Sequence, residues 1–280
     1  NLAAYINSVF AEAYADGTMQ EIATTYGVQE ALVEQTSDVI DLPTDGDVAY
    51  IVDKGTLIVG ITDFAPMDYK EEGSDEWTGF DTEFALAVAE KLGVKVEFIE
   101  IEWSGKIMEL ESKAIDCVWN GMTLTDAVKN SMATSNPYCN NQQIVIVKKD
   151  VADQYQDEAS LADLAFAVEA GSAGKETVEA LALNFTEVAY QSDALMEVAA
   201  GTSDACVIDL LMAGAMIGEG TGYPDLAYTV SLTEEEYVVG FRKGSDLVEK
   251  FNQFWADACA EGTVLETAKT YGVQESVIIK

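Results

Sequence analysis

IDCVWNGMTLTDAVKNSMATSNPY, residues 115–138, decides how the rest of the chain is read. Ile115, Cys117 and Trp119 alternate, with Val118 between them, which is the pattern of a buried strand. The strand is expected to stop at Asn120-Gly121, where no side chain blocks the backbone. Thr123 and Thr125 follow, and Asp126 stands where an acid favours a first helical turn, so the stretch reads as strand, polar turn, short helix. In open α/β sheets such a junction, at the carboxyl end of a strand, is where small ligands sit. An ordinary strand-to-helix turn carries the same signature.

Outward from this stretch the pattern is regular. Upstream, residues 56–61 (TLIVGI) read as a buried strand, and a loop over residues 62–78 follows. Phe80, Phe84 and Val88 then recur at helical spacing until Gly93 closes the helix. Residues 94–101 read as a strand and 104–113 as a helix with Ser104 as N-cap. Downstream, residues 143–148 (QIVIVK) read as a strand, after which the alternation starts again: strand 165–168, turn Glu169-Ala170-Gly171, a helix from Ser172, strand 187–190, helix 192–200, strand 205–208. Alternating β and α elements argue for mostly parallel sheets with right-handed crossovers. SDACVID (203–209) matches IDCVWNG (115–121) in placing a cysteine mid-strand and a polar residue at its carboxyl end, so two lobes offer equivalent edges. A strand over 236–241 and helices over 246–271 return the chain to the first lobe, which makes the double crossing a hinge.

Candidate ligand contacts collect at those strand ends. Gly171-Ser172-Ala173-Gly174 opens a helix, and its free N–H groups, the Ser172 hydroxyl and the helix dipole suit a carboxylate; N-capping alone also explains Ser172. Asp209 is placed either to hold a ligand ammonium or to cap the next helix. Phe64 and Trp103 offer aromatic faces after the first two strands.

Fifty acidic against fifteen basic residues give a net charge of −35, which repels phosphate backbones and anionic lipid, so no nucleic-acid partner is expected. With no histidine, Ser-His-Asp triads and histidine zinc sites are excluded. The four cysteines show no CxxC spacing and read as buried thiols. No metal and no cofactor is expected, TSDVIDLPTDGD (36–47) lacking the spacing of a calcium loop. No apolar run is long enough to span a membrane, and residues 1–30 lack the basic region and cleavage site of an export signal. Residues 6–33 repeat residues 251–278 at about half their positions. Such a helical extension is the tail of a preceding homologous domain, a segment that docks on this or a neighbouring molecule, or a frayed appendage.

From residue 48 to the end, the chain resembles the extracellular solute-binding proteins of polar amino-acid ABC importers. The resemblance rests on GTLIVGITDFAPMDYK, WTGFDTEFALAVAEKLG, AIDCVWNGMTLT, SNPY followed by QQIVIVKK, VEAGSAGKE and SDACVID. It implies an α/β periplasmic-binding-protein type II architecture: two mostly parallel sheets joined by two hinge strands, here with a helical N-terminal extension. The expected units are residues 1–47 as extension and linker, 48–147 with 237–280 as lobe 1, and 148–236 as lobe 2. It implies that the carbonyl of Gly121, Thr123 and Asp209 hold an α-ammonium, and that the N–H groups of Thr123 and Ala173, with Ser172 nearby, meet the α-carboxylate. Phe64 and Trp103 would flank the ligand side chain, with Asn120 touching it. The expected partners are a small amino acid or analogue and a membrane permease, with self-association through residues 1–35 a further option, and the expected location is extracellular or periplasmic. A ligand-sensing module and a dehydratase-like enzyme are the alternatives on this scaffold. One position departs from the family: Val128 stands where an arginine usually pairs with the ligand carboxylate. The departure means a cation relocated to Lys106 or Arg242, a weaker amino-acid site, or a ligand without that carboxylate.

Overall fold

The computed structural model describes residues 46–279; the N-terminal repeat, most of the linker and the self-association surface expected there lie outside the described residues. The first described element is a helix that the sequence pattern does not announce, α1 (Asp47–Lys54). Val48 and Ile51 are its buried side chains, and Arg242 donates from Nε to both Asp47 carboxylate oxygens, at 3.1 and 3.0 Å. Then come β1 (Thr56–Ile61), a small hairpin of β2 (Tyr69–Lys70) and β3 (Trp77–Thr78), α2 (Phe80–Leu92), β4 (Lys95–Glu100), α3 (Lys106–Glu111) and β5 (Cys117–Thr123). Next are α4 (Asp126–Ser131), β6 (Ala133–Thr134) and the long β7 (Cys139–Lys148). The chain continues through β8 (Ala165–Glu169), α5 (Ala173–Ala180), β9 (Asn184–Val188), α6 (Gln191–Ala200), β10 (Ala205–Asp209) and α7 (Leu210–Met216). It returns by the sixteen-residue β11 (Leu226–Phe241) and ends in α8 (Leu247–Glu261) and α9 (Thr263–Thr270).

The strands lie in the order β4-β1-β5-β11-β7-β10-β8-β9, with β6 added beside β11. β4, β1 and β5 are parallel, as are β10, β8 and β9. Among the described residues these two parallel groups are joined through β11 and β7, an antiparallel pair that runs from Leu226 opposite Lys148 to Tyr237 opposite Cys139. The pair slips register between Tyr228 and Ser231 and again before Thr233. The hydrogen-bonded path is therefore continuous, but it passes from one lobe to the other through two irregular crossing strands, which is where a hinge can bend.

Expected to stop at Asn120-Gly121, β5 instead runs on to Thr123, because Met122 and Thr123 find partners in Val238 and Tyr237 of β11. Gly121 makes the passage possible: its φ is +54°, and a Cβ there would lie 2.3 Å from a ring carbon of Phe64. Apolar side chains cover both faces of the sheet in three clusters. One, on a face shared by both lobes, includes Ile61, Trp119, Ile146, Ile208 and Trp255; the others gather around Val128 and Val238, and around Val145 and Phe166. α8 seals the first lobe with Phe251 against Trp119 (centroids 4.8 Å apart) and Trp255 against Phe84 and Tyr138 (5.1 and 5.3 Å). Each such ring is worth about 1.5–3 kcal/mol of burial, so the C-terminal helix holds the N-terminal lobe together and fixes the second crossing.

Candidate functional site

Between the lobes lies a cavity of about 210 Å³. From the first lobe its wall comes from the loop after β1 (Thr62, Asp63, Phe64), the turn after β4 (Trp103, Ser104, Lys106) and the end of β5. From the second come the end of β8 (Glu169), the entry to α5 (Gly171, Ser172, Ala173), Gln191 and the end of β10 (Asp209). Phe64, Trp103, Asn120, Gly121, Thr123, Ser172, Ala173 and Asp209 thus all line one space.

Behind Thr123, Gln191 and Asp209 of that wall runs an acidic hydrogen-bond network. Asp209 does not cap α7; its carboxylate accepts from the amides of Asn141, Gln143 and Gln191 and from the Tyr237 hydroxyl (2.7 Å). Glu235 Oε1 accepts from Thr123 Oγ1, Asn141 Nδ2 and Gln143 Nε2, each at 2.7 Å. Two amides on β7 therefore bridge a carboxylate of β10 and one of β11. Burial, and then the charge of Glu235, push the Asp209 carboxyl up to about 7. Sequence reasoning missed Asn141, Gln143, Gln191, Glu235 and Tyr237; the signal was a polar run, NNQQ and TEEE, inside strands that are otherwise apolar.

The lobe 1 wall is held from behind. Asn120 Oδ1 accepts from the Thr62 N–H and hydroxyl (2.6 and 2.7 Å), and its amide donates to the Thr62 carbonyl and to Asp68 (3.2 and 2.9 Å). With all four bonds used inside the protein, Asn120 can offer a ligand only van der Waals contact. Asp81 accepts from the Gly121 N–H and the Tyr138 hydroxyl, both at 2.7 Å, and burial pushes its carboxyl up to about 7.

Across the cleft the lobes touch. Gly171, at φ +74°, lies so close to Ser104 that a Cβ would come within 2.8 Å of the Ser104 Cα. Lys106 Nζ donates to the carbonyls of Trp103 (3.2 Å) and Gly171 (2.9 Å) and sits 4.6 Å from the centroid of the Trp103 ring. Burial lowers its ammonium to about 8, against the opposing charge of Glu169. Ser172, which lines the cleft, caps α5 by accepting the Lys175 N–H (3.1 Å). Val128, buried, also lines the cleft. Of the two cations suggested for relocation, Arg242 is elsewhere, paired with Asp47 and Asp116 (3.0 and 3.2 Å), whereas Lys106 is in the wall.

The sequence profile of the bacterial extracellular solute-binding proteins, family 3, matches residues 57–274. The chain belongs to that family. As a solute-binding protein it is 31% identical over 209 residues to the arginine-binding extracellular protein ArtP of Bacillus subtilis, a match that covers 71% of this chain and 79% of ArtP. It is 27% identical over 246 residues to the L-cystine-binding protein TcyA of the same organism, covering 82% and 87%. Among solved structures it resembles the ancestral amino-acid-binding protein AncCDT-1, a precursor of cyclohexadienyl dehydratase, with a TM-score of 0.73 and 29% identity over 80% of this chain and 98% of that one. The fold of this solute-binding protein is that of the type II periplasmic binding proteins. No helix among its described residues is long and apolar enough to cross a membrane.

Proposed function

We propose that this protein captures a free amino acid outside the cytoplasmic membrane and presents it to an ABC permease, without changing it chemically. The observation that carries the reading is the pairing of opposite poles in one cleft: the start of α5 at Ser172 and Ala173, and the carboxylate of Asp209. An unpaired helix N-terminus attracts an α-carboxylate, and a desolvated carboxylate attracts an α-ammonium. In this reading the ammonium meets Asp209, Thr123 and the Gly121 carbonyl, while the carboxylate meets the N–H groups of Thr123 and Ala173, with Ser172 beside it. Phe64 and Trp103 flank the side chain. Residues 48–147 with 237–280 and residues 148–236 are the two bodies that close. The relatives support an amino-acid solute, since ArtP is named for arginine and TcyA for cystine. A chain without histidine offers no imidazole for acid–base work, which favours binding over a dehydratase-like reaction.

The test is a thermal-shift and calorimetric panel of the common amino acids. A solute at a hundred times its Kd stabilises the protein by about 2.7 kcal/mol, which raises the melting temperature by roughly 5–10 °C. No shift and no heat with any amino acid would overturn the reading. Sizing chromatography of the full chain against one lacking residues 1–40 tests self-association, expected to vanish in the shorter chain while binding stays unchanged.

A further inference from the structure

With Asp209 assigned to the ammonium end, the cleft still holds a second buried acid that the proposed contacts do not use. Glu169, the last residue of β8, is 3% exposed and lines the cavity. Among the described residues it forms no ion pair within 4 Å; Gln191 hydrogen-bonds it, and the Lys106 ammonium acts on it only from a distance. Burial, and then the charge of Asp209, push its carboxyl up to about 8. Lys106, the one cation among the described lining residues, already spends its ammonium on two carbonyls and an indole face. Around the same cavity stand Asp63, Glu176 and Asp209, so four carboxylates face one ammonium.

A carboxylate held out of water without a directly paired cation is costly, and a cation placed against it relieves that cost. An anionic side chain would meet repulsion from all four acids. A neutral one would leave Glu169 as it is. We propose that the solute carries a second positive charge, an ammonium or guanidinium on its side chain, and that Glu169 is the residue that selects for it. The inference rests on the amino-acid reading above and adds to it the class of side chain. Glu169 enters from the second lobe, as Asp209 does, so each positive end of the solute has an acidic partner on that lobe.

The experiment is isothermal titration of the full chain with two matched pairs: arginine against citrulline, equal in shape but neutral at the tip, and lysine against norleucine. A charge-assisted hydrogen bond in a desolvated site corresponds to a preference of about 10- to 100-fold, expected in at least one pair. Glu169→Gln keeps the shape and the contact to Gln191; it should bring that preference to about threefold or less by weakening the cationic solute's binding more than the neutral analogue's. Circular dichroism melts, together with Glu169→Asp, which should retain the preference, establish that any loss is not misfolding. Neutral analogues that bind as tightly as the cations in the wild type, or a Glu169→Gln protein that keeps the preference, would overturn this inference and leave the amino-acid reading standing. Silence toward every amino acid would overturn both.

Discussion

Replacing Gly171 by alanine separates closure from folding. The substitution carries two costs that fall on different states. The first is conformational: at φ +74° an alanine is strained by about 1–2 kcal/mol whether the lobes are open or shut. The second exists only when the lobes meet, because the new Cβ would stand 2.8 Å from the Ser104 Cα and 3.2 Å from its Cβ. Carbon atoms prefer about 3.5–4.0 Å, so the overlap is roughly 1 Å, against backbone that cannot rotate aside. Relieving it parts the lobes and breaks the 2.9 Å bond from Lys106 to the Gly171 carbonyl. A hydrogen bond from a charged donor contributes about 1.5–3 kcal/mol, and each 1.4 kcal/mol is tenfold in Kd, so solute should bind about 10- to 100-fold more weakly. Calorimetry with the tightest amino acid from the panel reads the affinity, a melt of the free protein reads the first cost, and small-angle scattering with and without solute reads the closure. A variant that melts lower yet binds with the wild-type Kd and contracts fully would show that Gly171 and Ser104 do not meet in the bound form.

The buried acids set an unusual dependence on pH. Asp81 and Asp209, raised to about 7, and Glu169, raised to about 8, hold their protons more tightly in the folded chain than in the unfolded one, where carboxyls titrate near 4. The folded state therefore carries excess protons between about pH 4 and pH 7, and its stability falls as pH rises through that window. Three units at about 1.4 kcal/mol each bound one group's share at about 4 kcal/mol. Melts of the free protein should be several degrees higher at pH 5 than at pH 8, and Glu169→Gln should flatten the slope; a melting temperature that climbs over that range would contradict the sign. At Asp81, alanine removes the acceptor of the Gly121 N–H and the Tyr138 hydroxyl and should cost about 2–5 kcal/mol in urea unfolding. Asparagine keeps an acceptor oxygen and removes a charge beside Asp68, so it should stay within about 1 kcal/mol of the wild type at neutral pH; equal damage from both would refute this role of the oxygen.

The strand ends were legible because they depend on backbone alternation alone: TLIVGI, IDCVW and ACVI read as buried strands, and whatever follows them must stand at the same edge. The crossing strands were only half legible. Their apolar ends, at 143–148 and 236–241, follow the strand pattern, but β7 begins at Cys139 and β11 at Leu226. The polar runs in the missing parts bond one another, and Asn141 and Glu235 are brought together across 94 positions of sequence that no local pattern reports. The same holds for charge. Lys106 and Arg242 were equal candidates for a relocated cation until Arg242 proved to tie α1 to Asp116 beneath the sheet, a contact that depends on a helix the periodicity did not announce.

The placement of the acids couples charge to motion. Asp209 belongs to β10 of the second lobe, Thr123 to β5 of the first, and Glu235 and the bridging amides of Asn141 and Gln143 to the two crossing strands. Every part of the hinge therefore contributes to a single network that has two carboxylates and, in the free protein, no cation bonded to either among the described residues. Burial first, and the nearby charge of Glu235 second, lift the Asp209 carboxyl toward neutrality, so a proton is held more tightly there than on a free aspartate. In the proposed binding mode an ammonium delivered by the solute would perform the proton's task. A solute without it leaves the two acids facing each other with only amides between them, and closure around that solute retains the repulsion that closure around an ammonium removes.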